Sequence, residues 1–429
     1  MNIAILGYGV EGESVYRYYR AKYPNAVITA YDNNPQPKNP LPPDVQFVGG
    51  RTDFKGIVAD LAIKTPAIPP WLVEVSGVVT TMTREFMKAC PAPIIGVTGT
   101  KGKGTTASLI KSILDANGRR SWLVGNIGVG AFDVLDQIKP SDVVVYELSS
   151  FQLWDSDVSP HVAVVLGIEP EHLDVHKDFN DYVSAKSNIA RHQKPDDIVI
   201  YRQGNQYAEQ ISQMSPATKV VYPSELTTHV KDGMFYNGDR ELCSVDVLRL
   251  PGNHNRDNAC AAIDAVWSWV RDGNDIKRGL EAFEGLPHRL KYVRSVNDVM
   301  FYDDSIATTP GSAIAALASF EEPKVIILGG SDKGASYDEL VMKIKESAVR
   351  RVILIGTEAP KIEALLKANG IARYTNIGTS LTMDGIVKTA ANAAEPGDVV
   401  IMSPACASFD MFKNYADRGD QFVAAVNNL

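Results

Sequence analysis

The sequence predicts three α/β domains in series, each built on a mainly parallel sheet. Three observations carry that prediction. At 429 residues the chain exceeds one ordinary domain and fits two or three. Short, continuously apolar runs alternate with helical stretches along its length, as strands covered on both faces by helices require. Two breaks interrupt the alternation: Cys90-Pro91-Ala92-Pro93, whose paired prolines resist both helix and interior strand, and Gly285-Leu286-Pro287. They divide the chain into 1–92, 93–286 and 287–429.

In the first segment the apolar run Ile3 to Leu6 meets Gly7-Tyr8-Gly9-Val10-Glu11-Gly12, then a helical stretch, then a second run, Ala26 to Tyr31, that ends at Asp32. Strand, glycine turn, helix and strand with a terminal acid make a Rossmann-like unit. The same pattern also suits a tight strand-to-helix crossing with no ligand. Asn33 to Pro43 holds five prolines and reads as a surface loop.

The second segment opens on Ile94 to Gly99, followed by a glycine loop and a helix that stops at Asn117-Gly118. Val143 to Tyr146, Val162 to Gly167 and Ile198 to Tyr201 are its further strand candidates. In the third segment Val325 to Leu328, Val352 to Ile355 and Val399 to Met402 play that part.

Composition narrows the class. Apolar residues are 45%, charged 22% and aromatic 8%, a profile that excludes disordered, collagen-like and disulfide-stapled chains. Lys plus Arg is 43 against 51 Asp plus Glu, for a formal net charge of -8. A non-specific nucleic-acid binder carries the opposite balance, so no nucleic-acid partner is expected and any anion site must be local. Cys90, Cys243, Cys260 and Cys406 lack metal-ligand or framework spacing, which suggests reduced thiols in a cytoplasmic enzyme. The start Met1 to Gly7 lacks the basic flank and apolar length of a signal peptide. No run approaches the roughly 20 apolar residues of a membrane span, so no membrane partner is expected. No exposed apolar helix stands out, and a monomer is expected.

The strongest local signal is Gly96-Val97-Thr98-Gly99-Thr100-Lys101-Gly102-Lys103-Gly104-Thr105-Thr106. Glycines let successive N–H groups close around phosphate oxygens, and the following helix presents its positive end. Lys103 adds a point charge, and the segment becomes a central P-loop ATPase-like domain. The strict pattern G-x-x-x-x-G-K-[ST] is not met, since Val97 and Gly104 stand where it has glycine and a hydroxyl. A nucleotide loop needs a divalent cation, and Glu147 and His172 each follow an apolar run, at the sheet edge where α/β proteins bind ligands.

These segments resemble the ATP-dependent Mur ligases of peptidoglycan synthesis. Gly99-Thr100-Lys101-Gly102-Lys103, Glu147-Leu148-Ser149-Ser150-Phe151-Gln152 and Glu171-His172-Leu173-Asp174 carry the likeness in the centre. Lys186, in Tyr182-Val183-Ser184-Ala185-Lys186, sits where that family has a carbamylated lysine. Gly252-Asn253-His254-Asn255-Arg256-Asp257-Asn258 is similar to its G-x-H-N-x-x-N segment. Leu286-Pro287-His288-Arg289 and Asp303-Asp304-Ser305 resemble the start of its third domain, which is again Rossmann-like. Ser403 to Asp410 with Arg418-Gly419 is similar to the C-terminal signature of its D-glutamate-adding members.

The resemblance implies an amide ligase that phosphorylates the carboxylate of UDP-N-acetylmuramoyl-L-alanine with ATP, then lets the amine of glutamate displace phosphate. It implies two magnesium sites, with Glu147, His172, carbamylated Lys186 and Thr105 as ligands. Gly99, Thr100, Lys101, Gly102, Lys103, Gly104, Thr105, Asn258, Arg289 and Asp304 would hold ATP. Thr308, Lys333, Ser408 and Tyr415 would hold glutamate, with His288 beside it. Gly7, Gly9, Val10, Asp32, Thr65 and Asn126 would hold the UDP substrate. Three positions depart from the family: Gly104, Ile306 where a lysine is common, and Thr65-Pro66-Ala67 in place of Ser-Pro-Gly. The isoleucine keeps open an L-glutamate-adding branch, and the glycine loop a folylpolyglutamate synthase-like ligase. A nicotinamide-dependent oxidoreductase would account for the first glycine turn but leave Lys103, Glu147 and His172 idle. A non-catalytic nucleotide-binding scaffold would need none of that set.

Overall fold

The computed structural model describes residues 1–429 except 38, 39, 251 and 333. The chain forms two compact units, Met1–Leu248 with His254–Phe283, and Arg249–Asn253 with Glu284–Leu429. The first unit contains two large parallel sheets and a two-stranded parallel pair, Phe54–Ile57 with Val73–Val75. β1 (Asn2–Leu6), β2 (Val27–Tyr31), β3 (Val45–Val48), β4 (Leu61–Lys64) and β5 (Val78–Thr81) lie in the order β3-β2-β1-β4-β5. β6 (Ile94–Thr98), β7 (Ser121–Gly125), β8 (Val143–Glu147), β9 (Val162–Val165), β10 (Ile198–Arg202) and β11 (Thr218–Tyr222) lie in the order β11-β10-β9-β6-β8-β7.

Every residue of β6, β8 and β9 is buried, as covered strands require. Central position follows, since a strand apolar on both faces needs a helix layer on each. The run Ile198 to Tyr201 falls in β10, where Val199 and Ile200 are buried and Ile198 and Tyr201 are partly exposed. α1 (Val10–Lys22) packs against β1. It also turns Tyr18 onto Phe132 at a ring distance of 4.4 Å, while Phe86 meets Tyr146 edge-on at 5.4 Å. One hydrophobic core therefore runs beneath both sheets, from Ile3 and Val15 to Tyr146 and Ile189. Cys90-Pro91-Ala92-Pro93 lies between the two sheets, as a chain segment that neither helix nor strand can absorb.

Two local devices steer the chain at the sheet edge. After β8, Ser149 accepts a bond from the Gln152 N–H while Gln152 Oε1 accepts from the Ser149 N–H, a capping box that starts the short helical turn Ser150–Leu153 at once. Asp178 caps the helix Phe179–Arg191 by accepting from the Asp181 N–H. The unit also carries an antiparallel three-stranded sheet, residues 228–244, that the apolar pattern does not announce. Its Thr228 and Asn237 side chains both donate to the buried carboxylate of Asp264.

In the second unit, β12 (Lys291–Val296), β13 (Val299–Asp303), β14 (Lys324–Gly329), β15 (Val349–Ile355), β16 (Tyr374–Gly378) and β17 (Val399–Met402) form one sheet, ordered β12-β13-β17-β14-β15-β16. Only the β12–β13 pairing is antiparallel. Separate cores cover its two faces, one around Leu328, Leu340 and Leu354, the other around Phe301, Ile386 and Phe422. Among the described residues no helix is long and apolar enough to cross a membrane.

Candidate active site

The glycine loop joins β6 to the helix Lys103–Ala116. Gly102, at φ 84, caps that helix in the left-handed region, and a Cβ there would come within 2.5 Å of Asn258 Oδ1. Asn258 is itself buried and donates to Asn255 Oδ1 at 3.1 Å. Lys103 Nζ folds back to donate to the carbonyls of Gly99 and Thr100, at 3.0 and 2.8 Å. Thr100 is held on both sides: its N–H donates to Gly167 O at 2.9 Å, and its hydroxyl lies 3.0 Å from Tyr182 Oη. Lys101 is exposed, 3.7 Å from Glu169. Gly104, Thr105 and Thr106 are buried in the first helical turn, and the Thr106 hydroxyl has no hydrogen-bond partner.

Lys186 reaches the same loop and shares the Gly99 carbonyl with Lys103. Its side chain is buried, and Nζ donates to Gly99 O at 2.8 Å and to Thr98 Oγ1 at 3.3 Å, 4.7 Å from the centre of the Tyr182 ring. Burial, and then the charge of Lys103, hold its pKa well below the ordinary lysine value, while Glu171 and Glu147 oppose them. Two lysines thus share one loop with two carboxylates nearby.

Glu147 ends β8 and is buried. Asn126 donates to its Oε1 at 3.2 Å, whereas Oε2 is enclosed and has no hydrogen-bond partner. A buried carboxylate oxygen left without a donor is costly unless something positive meets it. His172, at φ 56, is half exposed, with its ring 5.0 Å from Phe151 and Nε2 3.8 Å from Glu171. Among the described residues no group of three or more His, Cys, Asp or Glu side chains is arranged to hold a metal.

In the first sheet Gly7, at φ 87, leaves the space that Thr65 Oγ1 fills; a Cβ would meet that oxygen at 2.1 Å. Thr65 in turn donates to Leu6 O at 2.9 Å. Gly9 caps α1 and Val10 faces solvent. Asp32 is buried, with Oδ2 accepting from the Tyr8 N–H at 2.7 Å and Oδ1 from the N–H and side chain of Asn34. Its carboxylate braces the glycine turn in this structure.

In the second unit His288, at φ 59, has Nδ1 2.7 Å from Asp303 Oδ2. That hydrogen bond, against burial, raises the His288 pKa above the ordinary histidine value. Asp304 is buried and accepts from the Leu290 N–H at 3.0 Å and the Ser403 hydroxyl at 2.7 Å. Burial pushes its pKa up to about 7. Arg289 is exposed, and its charge is felt by Asp304. Thr308 is half-buried, Ser408 is buried, and Tyr415 is exposed at the start of the helix Tyr415–Asn427. Lys333 lies outside the described residues.

The sequence marks Arg418 as part of a family segment but does not show what it holds together. Arg418 is fully buried and donates to Ser305 Oγ and O, Cys406 O and Ala407 O, at 2.8 to 3.3 Å. Among the described residues it bonds no carboxylate, and its guanidinium is caged by backbone oxygens and one hydroxyl from the two segments that carry Thr308 and Ser408. Asp303 likewise stands in a quoted family segment with no role read for it, and His176 stands in none. A buried charge announces itself through its contacts and has no periodic signal.

The Mur ligase middle domain family matches residues 97–266, and the Mur ligase glutamate ligase domain family matches residues 288–406. The UDP-N-acetylmuramoylalanine–D-glutamate ligase of Acetivibrio thermocellus is 38% identical over 456 aligned positions, covering 100% of this chain and 96% of that protein. The enzyme of the same name from Clostridium perfringens is 37% identical, covering 82% of this chain and 78% of its own. The fold is similar to the UDP-N-acetylmuramate-alanine ligase of Thermotoga maritima, with TM-score 0.62 and 19% identity, over 100% of this chain and 99% of the other.

Proposed function

The chain belongs to the Mur ligase family, and from that premise we propose that it joins D-glutamate to UDP-N-acetylmuramoyl-L-alanine with hydrolysis of ATP, as a cytoplasmic monomer. The observation that carries the reading is the meeting of Lys103, Lys186 and the unpartnered Glu147 Oε2 around one glycine loop. Three phosphates and a carboxylate must approach one another there, and Lys103 together with a cation held at Glu147 would offset their repulsion.

The substrate carboxylate attacks the γ-phosphorus of ATP, the bond to ADP breaks, and an acyl phosphate forms. The amine of glutamate then attacks the acyl carbon, phosphate leaves, and the amine gives up a proton. Lys103 and the loop N–H groups would hold the outer phosphates. Magnesium fits the donors present: Glu147 Oε2 is an enclosed anionic oxygen awaiting a cation. With no cluster of three acidic or imidazole groups among the described residues, its shell would draw on phosphate oxygens, water and a carbamate on Lys186, with His172 at a second site. The ion would supply charge neutralisation between the phosphates. His288, whose pKa Asp303 raises, would hold glutamate together with Thr308, Ser408, Tyr415 and Lys333. Arg289, Asp304 and Asn258 would hold the nucleotide, and Gly7, Gly9, Val10, Asp32, Thr65 and Asn126 the UDP substrate. We read residues 1–92, 93–286 and 287–429 as the three domains that divide these tasks.

Phosphate release from ATP with magnesium and UDP-N-acetylmuramoyl-L-alanine, run in parallel with D- and L-glutamate, tests the reading. Turnover with D-glutamate is the expected result. Turnover with L-glutamate alone would keep the mechanism and reverse the stereochemistry, and silence with both would overturn the substrate assignment. Lys103→Ala is expected to lower kcat by about 100-fold or more with the fold intact.

A further inference from the structure

We propose that His176 is a positioning residue for the cation site, tying together the three segments that carry Glu147, His172 and Lys186. The proposal rests on the reading that those three residues surround a divalent cation.

His176 is 2% exposed, and both ring nitrogens are engaged. Nδ1 lies 2.8 Å from Asp181 Oδ2 and Nε2 lies 3.0 Å from Ser150 Oγ. Its main-chain N–H donates to His172 O at 2.9 Å. Each partner belongs to a different ligand-bearing segment. Ser150 opens the capped turn that follows Glu147 at the end of β8. His172 is its neighbour within one turn of chain. Asp181 lies on the helix Phe179–Arg191 that carries Lys186.

The ring is fixed as well as bonded. It stacks on Phe151 at 5.3 Å and 11°, lies 4.3 Å from Trp154, and meets the edge of Tyr182 at 5.3 Å. Trp154 Nε1 donates to Asp181 Oδ1 at 3.3 Å, closing the ring of contacts. Tyr182 carries the order on to the glycine loop through Thr100. The succession Ser150–His176–Asp181 has the order of contacts of a nucleophilic triad, but Ser150 is 1% exposed and presents no face to a substrate. The contacts therefore act as a strut. Groups that orient metal ligands in this way are commonly worth about 10- to 100-fold in metal affinity.

The test uses the full chain with Mn2+ as the probe. Binding is followed by the electron paramagnetic resonance signal of free Mn2+ in the presence of a non-hydrolysable ATP analogue, and Mg2+ dependence by phosphate release. His176→Gln is expected to weaken Mn2+ binding and raise the half-saturating Mg2+ by about tenfold, with kcat largely restored at high Mg2+. Asp181→Asn, which keeps the shape of the core, should shift both in the same direction and stands in should His176→Gln not fold. Loss of thermal stability with unchanged Mn2+ affinity would show a merely structural histidine and overturn the proposal. Glu147→Gln separates the cation site from the role of His176. If it leaves Mn2+ binding unchanged, the cation site itself falls; if it weakens binding and both other variants do not, only the role of His176 falls.

Discussion

Lys186 and Asp304 are each charged groups that the fold makes uncomfortable, and each predicts something measurable. The Lys186 amine has only a carbonyl and a hydroxyl for hydrogen-bond partners, is buried, and lies near Lys103. Its lowered pKa favours the neutral amine, the form that adds carbon dioxide. Protein equilibrated with 13C-bicarbonate should show a carbamate carbon resonance that Lys186→Gln lacks; no such signal would remove the carbamate from the mechanism. Asp304 makes the opposite exchange. Burial raises its pKa from 3.8 to about 7, so the folded state holds a proton that the unfolded chain has released. Stability from this group is therefore fullest below pH 3.8, declines as pH rises towards 7 and is level beyond, a loss of about 4 kcal/mol in all. His288 acts on the same side: its raised pKa contributes stability that is present below 6.5 and lost as pH rises through the folded value. Melting temperature should fall across this range. Asp304→Asn, whose amide can still accept from Leu290 and donate to Ser403, should flatten the fall; an unchanged profile would place the pH dependence elsewhere.

At the scale of elements, the loop that precedes Lys103–Ala116 depends on a single backbone conformation. Gly102→Ala would force an L-residue to φ 84 and drive its Cβ towards Asn258 Oδ1. A strain of about 1 to 3 kcal/mol is expected from the dihedral alone. Since Asn258 must also move, ATP affinity measured by calorimetry should drop by about tenfold or more, whereas the same change at Gly118, which has open space around it, should leave affinity unchanged. This loop was legible in the sequence because glycines spaced after an apolar run, with a lysine and a helix to follow, suit few purposes besides cradling phosphate. β6, β8 and β9 were legible for a related reason: continuous apolar character leaves no solvent face. Edge strands carry no such mark. β11, Thr218–Tyr222, begins with two exposed polar residues, and the sheet spanning 228–244 mixes Thr, His, Lys, Arg and Glu without clear alternation. What anchors that sheet is one buried acid, Asp264, contributed from a distant helix. His176 is the same lesson within the candidate site: its importance lies in what it touches, and a lone histidine in a sequence touches nothing, while the segment that marks Arg418 does not show the oxygens that surround it.

At the scale of the whole molecule, the residues proposed for one reaction belong to two separately packed units. Lys103, Glu147 and Lys186 lie in the first, whereas Arg289, Asp304, Thr308 and Ser408 lie in the second. The chain passes between the units at 248–249, 253–254 and 283–284, so a few residues beside Gly252 and Gly285 can absorb a change of orientation. An acyl phosphate is hydrolysed if water reaches it, and the attacking amine must meet it at bonding distance. On the proposed function residues of both units act on the same substrates, and closure driven by substrate is the expected response. Each unit has its own core and so can keep its internal packing if it moves. Small-angle scattering should therefore show a smaller radius of gyration with a non-hydrolysable ATP analogue, magnesium, the UDP substrate and glutamate than with no ligand. Nucleotide alone should give part of the change, because Arg289 and Asp304 are proposed to reach the same nucleotide as Lys103. A radius unchanged under full ligation, with binding verified by calorimetry, would mean that the units need no closure for reaction.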